Sequence, residues 1–152
     1  MAQSESSRLT QTKPLSSSAK DLFEVYRSQP YRFLDLMPAD IQKVELLKGK
    51  WGQEGSQRRW TFVDGACGIW EDKVEAIHDQ TMTITWTLLE GEVPLKLYSR
   101  PKVVHQFSVR GNGCDATVTL IYQKKDASNS DPHEYMNFLI KMLEAADEVA
   151  TA

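Results

Sequence analysis

The sequence predicts an α+β fold in which seven antiparallel strands form a curved sheet and one long C-terminal helix can lie across its concave face. Three observations carry that prediction. Six successive segments from Ile41 to Lys125 alternate apolar and polar residues at period two, with short turn signals between them. One long helical stripe closes the chain, and two short helical segments sit between a first strand and the run of six. Such short connections require antiparallel neighbours, because parallel pairing needs a long crossover.

The elements follow in order. Residues 1–7 are polar and are expected to form a flexible N-terminus, which leaves 8–152 as a single domain. "RLTQTKPL" reads as the first strand; Pro14 cannot donate to a ladder and so belongs at an edge or a strand end. Ser18 is placed to cap a helix with Leu22, Phe23 and Tyr26 on one face. Pro30 opens a second short segment, which Pro38 ends. The six strands are "IQKVELLKG", "SQRRWTFVDG", "CGIWEDKVEAIHD", "QTMTITWTLLEG", "YSRPKVVHQFSVRGNG" and "CDATVTLIYQKK". The turn signals are the Gly49, Gly52, Gly55 loop, Asp64-Gly65, His78-Asp79, Glu90-Gly91 and Gly111-Asn112-Gly113. In the last segment Asp131 is a candidate cap and Pro132 suits the first helical turn. Tyr135, Phe138, Leu139, Met142, Leu143 and Ala146 then form the apolar stripe.

Composition narrows the function. The chain has 152 residues, 41% hydrophobic and 26% charged, enough for one domain with a proper core. A net charge of −3 gives no global field for nucleic acid or an anionic membrane, and "YSRPK" is too short for a binding patch. No apolar run approaches the ~20 residues of a membrane span. The N-terminus lacks the apolar core of a secretory signal. Cys67 and Cys114 are too few and too far apart for a disulfide framework, so a reducing cytoplasm is expected. His78, His105 and His133 share no metal-ligand spacing with each other or with the cysteines. Neither a G-x-S-x-G elbow nor an activated Cys/His arrangement is present, and no cofactor or metal is expected.

The glycine loop raises the question of phosphate binding. A Walker loop needs Gly-Lys-Ser/Thr entering a helix, so that backbone amides meet the anion. Here Gly55-Ser56 enters a strand, and Glu54 would repel a phosphate. The loop reads instead as a fixed bend that delivers Arg58 and Trp60 to the sheet's inner face.

That inner face is unusual. Arg58, Trp60 and Phe62 share one side of their strand, as do Met82, Ile84, Trp86 and Leu88 of theirs, and Ala116, Val118, Leu120 and Tyr122 of the last. Val103, His105, Phe107 and Val109 are the more apolar set of the fifth strand in the run. A two-residue turn at Asp64-Gly65 would set Phe62 opposite Cys67, Trp60 opposite Ile69 and Arg58 opposite Glu71. An apolar wall with a few polar groups suits an apolar ligand held by a few polar contacts. An ordinary packed core, with Arg58–Glu71 as a structural pair, is the competing reading of the same pattern.

Laid out this way, the chain resembles the major latex protein branch of the Bet v 1-like plant family, pathogenesis-related class 10, within the START-like superfamily. "LLKGKWGQEGS" looks like that branch's glycine-rich loop, typically Glu-Gly-Asp-Trp-Gly-x-x-Gly-Ser. Trp60 with Asp64-Gly65 fits its W-x-x-x-x-D-G pattern, "EDKVEAI" its next strand, "LLEGE" its Glu-Gly-Asp turn, and "DPHEYMNFLIKMLEAAD" its long helix. The likeness runs from about Leu9 onward. Lys50 stands where an acidic residue is usual, Pro14 interrupts the first strand, and "EGEVPLKLYSRPK" holds an extra residue that blurs the register near His105.

The resemblance implies a helix-grip fold with a large internal cavity and a hydrophobic guest: a terpenoid, alkaloid, steroid, flavonoid or hormone-like molecule. It also implies a monomer or weak dimer. A binding protein would line its cavity with Arg58, Trp60, Phe62, Ile69, Ile84, Trp86, Leu88, Val118, Leu120, Tyr122, Tyr135, Phe138, Leu139 and Met142. The alternative is a cofactor-independent cyclase or isomerase that folds a reactive intermediate and excludes water. In that case His105 is the candidate proton shuttle, Arg58 holds an enolate or carbonyl oxygen, and Tyr122 or Glu71 assists.

Overall fold

The chain runs β1 (Ser7–Leu15), α1 (Ala19–Ser28), a 3-10 turn (Pro30–Arg32), α2 (Phe33–Leu36), β2 (Ile41–Lys48), β3 (Gln57–Phe62), β4 (Ile69–His78), β5 (Thr83–Gly91), β6 (Tyr98–Arg110), β7 (Gly113–Lys124) and α3 (His133–Ala150). The computed structural model describes residues 7–63, 69–91 and 97–150. All seven strands form one sheet in the order β1-β7-β6-β5-β4-β3-β2, every neighbouring pair antiparallel. β1 and β2 are therefore its edges, and Pro14 lies on an edge strand, opposite Asp115. Ser7, expected in the N-terminal tail, already pairs with Tyr122.

Local chemistry sets the helices. The Ser18 hydroxyl accepts the Asp21 N–H at 3.1 Å, capping α1, and Leu22, Phe23 and Tyr26 are buried beneath it. α3 begins differently from the expected pattern. Pro132 sits just before the helix, where its carbonyl accepts the Met136 N–H. The Asp131 carboxylate turns away to the Tyr122 hydroxyl at 2.7 Å and Lys124 at 3.2 Å. The helix buries Met136, Leu139, Ile140, Met142, Leu143 and Ala146 against the sheet.

The glycine loop is a bend. Gly49, Gly52 and Gly55 have φ of 79°, 81° and 87°, a region that side chains with a Cβ rarely enter. The loop folds back onto β4: Gly55 N–H donates to the Val74 carbonyl at 2.8 Å, and the Glu54 carboxylate accepts the Ile77 N–H at 2.7 Å. Glu54 is thus tied into the sheet. Lys50 is exposed, and nothing in the structure explains the choice of lysine there.

One register differs from expectation. Arg58 pairs with Asp72, Trp60 with Trp70 and Thr61 with Ile69, one residue away from the two-residue turn. Asp64-Gly65 and Cys67 lie outside the described residues, but the strands on either side fix the offset. Because side chains alternate, a one-residue slip turns every β4 side chain to the opposite face. Two smaller differences concern β5 and β6. Met82 lies in the turn before β5 at φ 51°, and Val109, near the hairpin end of β6, is 72% exposed. Gly91, expected in a turn, still pairs with Trp70.

Candidate functional site

β3 brings Arg58 to the inner face, and β4 places Asp72 directly opposite it. The two are 2% and 7% exposed and meet as a fork, Nε to Oδ1 at 2.8 Å and Nη2 to Oδ2 at 3.0 Å. Arg58 also lies against aromatic rings, 5.7 Å from the Trp60 centroid and 5.3 Å from that of Trp86. Burial raises the Asp72 pKa above the ordinary carboxylate range, and the charge and hydrogen bonds of Arg58 only partly offset it. The Trp60 N–H faces the same carboxylate and favours its charged form, although Nε1 falls short of hydrogen-bonding geometry.

His105 of β6 points inward beside this pair. Its ring packs 4.6 Å from Tyr26 and 4.8 Å from Trp86. Burial, helped by the nearby Arg58 charge, pushes its pKa down to about 3, so the imidazole is neutral at physiological pH. Neither ring nitrogen has a hydrogen-bond partner.

These groups surround a cavity of about 40 Å³ between the sheet, α1 and α3, with Trp60, Trp70, Trp86, Leu139 and Met142 among its walls. The indole N–H groups of Trp60, Trp70 and Trp86, the Tyr26 hydroxyl and both His105 nitrogens are buried without hydrogen bonds. Each such group costs about 1–3 kcal/mol when left unpaired in the interior. The five residues that carry them all line this one small, mostly apolar space, which is the most distinctive chemistry among the described residues.

A second space of about 20 Å³ lies beyond Trp70 and Leu139, which line both. Leu88, Leu120, Tyr122 and Tyr135 line it, as does Tyr98. Here the polar ends are engaged: Tyr98 donates to the Ser130 carbonyl and Tyr122 to Asp131. Burial and Asp131 together raise the Tyr122 pKa, so this phenol stays protonated.

The expected residues therefore divide. Arg58, Trp60, Trp86, His105, Leu139 and Met142 meet at the first space, and Leu88, Leu120, Tyr122, Tyr135 and Leu139 at the second. Phe62 and Phe138 pack edge-to-face with Trp70 at 4.7 and 6.2 Å. Ile84 and Val118 are packed core. Ile69 is 40% exposed, and Glu71 pairs on the outer face with Arg59 at 2.8 Å. Neither faces the interior, because the register places Trp70 and Asp72 there instead. Tyr122 is separated from Arg58 by the Trp70–Leu139 partition. The sequence pattern does not bring Trp70, Asp72 or Phe33 to the first space; it gives Tyr26 only as a helix face, Pro30 only as a helix start and Val103 only as one of the apolar set of its strand. Trp70 and Val74 form a more apolar set than Ile69 and Lys73, and that contrast was the available signal.

Both spaces are smaller than the resemblance implies. About 40 Å³ holds a few waters, against ~150 Å³ for a cavity that takes benzene.

The sequence matches the Pathogenesis-related protein Bet v 1 family over residues 4–151. The chain belongs to that family. Among curated relatives, MLP-like protein 329 of Arabidopsis thaliana is 30% identical over 139 residues, covering 89% of each chain. MLP-like protein 328 of the same plant is 29% identical with the same coverage. The fold matches ginseng major latex-like protein 151 from Panax ginseng, with a TM-score of 0.87 at 22% identity over 94% of this chain and 96% of that one. It also matches norcoclaurine synthase from Thalictrum flavum, solved with dopamine and hydroxybenzaldehyde, with a TM-score of 0.78 at 17% identity over 96% and 87%. The Bet v 1 family member described here is thus a major latex-like chain with the helix-grip fold. No described helix is long and apolar enough to cross a membrane.

Proposed function

We propose that this major latex-like protein binds a hydrophobic small molecule between its sheet and α3, in the cytoplasm of a plant cell. One observation carries the reading: Tyr26, Trp60, Trp70, Trp86 and His105, each with a buried and unpartnered polar group, all line one largely apolar space. A core selected for packing alone has no use for so many unpaired donors. Family membership supports the same reading. The guest exceeds the volume of the closed interior, so binding moves α3 or the aromatic partition of Trp70 and Leu139 to join the two spaces. The test is titration of the purified protein with a panel of terpenoids, steroids, flavonoids and fatty acids, read by tryptophan fluorescence. Quenching that saturates at micromolar concentrations supports the proposal. Absence of binding across the panel defeats it.

A catalytic reading, cyclase or isomerase, draws on the inward position of His105 beside Arg58. It needs His105 as a neutral hydrogen-bonding group, since its depressed pKa denies it an imidazolium near neutrality. If a bound panel member is converted to product, and His105→Phe abolishes conversion while retaining binding, the catalytic reading replaces the carrier.

A further inference from the structure

Resting on the binding reading, we propose that the ligand's polar head is an uncharged carbonyl-type oxygen and that the Arg58–Asp72 pair excludes carboxylates. The argument begins with donors and acceptors. Trp60, Trp70 and Trp86 can only donate, while Tyr26 and neutral His105 can each donate and accept. Among the described residues no hydrogen bond reaches Arg58 Nη1. Donors are in surplus, so the matching head is rich in acceptors.

Charge then separates the possible acceptors. Arg58 and Asp72 are the charged residues lining the first space, and they neutralise each other across the fork. A carboxylate head would add a negative charge beside Asp72 with no free cation to receive it. Burying an ion without a partner is strongly unfavourable. A ketone, aldehyde or lactone carbonyl offers two lone pairs and no charge, and it fits where a few waters would. The rest of the ligand is apolar. Beyond Trp70 and Leu139 the walls include Leu88, Pro101, Leu120 and Pro132, and the Tyr98 and Tyr122 hydroxyls already have protein partners.

The experiment compares three probes of one chain length, 2-decanone, decanoate and decane, by tryptophan fluorescence titration at pH 7.5. The ketone is expected to bind about tenfold tighter than either of the others, the size of one satisfied hydrogen bond in a dry site. In Asp72→Asn, Arg58 loses its counter-ion while keeping a hydrogen-bonding neighbour, and decanoate is expected to overtake the ketone. In Trp86→Phe, which removes one donor, the margin of ketone over decane is expected to shrink. Wild-type protein that binds decanoate as tightly as the ketone, or decane as tightly as the ketone, overturns the inference while leaving the binding reading in place. So does an unchanged order in folded Asp72→Asn. Failure of all three probes to bind overturns both.

Discussion

The two spaces inside the sheet sit side by side and share Trp70 and Leu139, yet they treat polarity in opposite ways. At the Tyr122 end, hydroxyls reach Ser130 and Asp131 and tie the segment before α3 to the sheet. At the Arg58 end, one ion pair is fully formed while the three indoles, Tyr26 and His105 around it have no hydrogen-bond partner. A satisfied polar group stabilises the fold and has little left for a ligand. An unsatisfied one costs stability until something fills the space. On the proposed reading, the Tyr122 end is architecture and the Arg58 end is where a ligand would be received.

The contrast can be broken by mutation. The largest effect is expected from Arg58→Ala, which strands a buried carboxylate; urea unfolding should show a loss of about 3–5 kcal/mol. Adding Asp72→Leu should recover part of that loss. If Arg58→Ala alone costs less than a surface substitution, the pair is not buried as described.

Next in size is the pH response of His105. Its pKa is about 3 in the folded protein against 6.5 for the ordinary group, so below pH 6.5 the unfolded chain binds more protons than the folded one. The stability is fully present above 6.5 and falls as pH drops towards 3, by up to ~1.4 kcal/mol per pH unit. Asp72 acts with the opposite sign, since its folded pKa is raised. The difference between wild type and His105→Phe isolates the histidine. The variant's advantage over wild type should grow between pH 6 and 4, and a constant difference would contradict a buried neutral imidazole.

Smaller again is Tyr122→Phe, which removes the hydrogen bond to Asp131 and should cost about 1 kcal/mol in thermal or chemical unfolding. Ligand affinity should not change, because that hydroxyl is already engaged. The smallest stability effect belongs to Trp86→Phe. Its N–H has no partner to lose, so the cost lies in packing and in a weaker contact with the Arg58 guanidinium, about 1 kcal/mol, while binding weakens.

Much of this was legible before any coordinates. The alternation of Arg58, Trp60 and Phe62 placed the arginine inside, because that follows from the period of a strand, whereas the blurred register of β6 left the direction of His105 open. The glycine loop was readable as a bend for the same kind of reason: it enters a strand, where a phosphate loop enters a helix. The β3–β4 register was not legible, because it hung on a turn length, and one residue there exchanges Glu71 and Ile69 for Asp72 and Trp70. Nor was the interior volume. It depends on how Tyr26, Phe33, Trp70 and Met142 pack across elements distant in sequence, which no single-strand pattern encodes. The separation of Tyr122 from Arg58 arises from the same packing.

The most direct test uses the tryptophans themselves. Trp60, Trp70 and Trp86 line the first space, whereas Trp51 lies on the glycine loop against Tyr31, with ring centroids 5.5 Å apart. Indole N–H resonances of nitrogen-15-labelled protein can be followed while 2-decanone is added. The account predicts large downfield shifts for Trp60, Trp70 or Trp86, as their protons acquire an acceptor, with Trp51 unmoved. Shifts confined to Trp51, or none at all at saturating ketone, would contradict it.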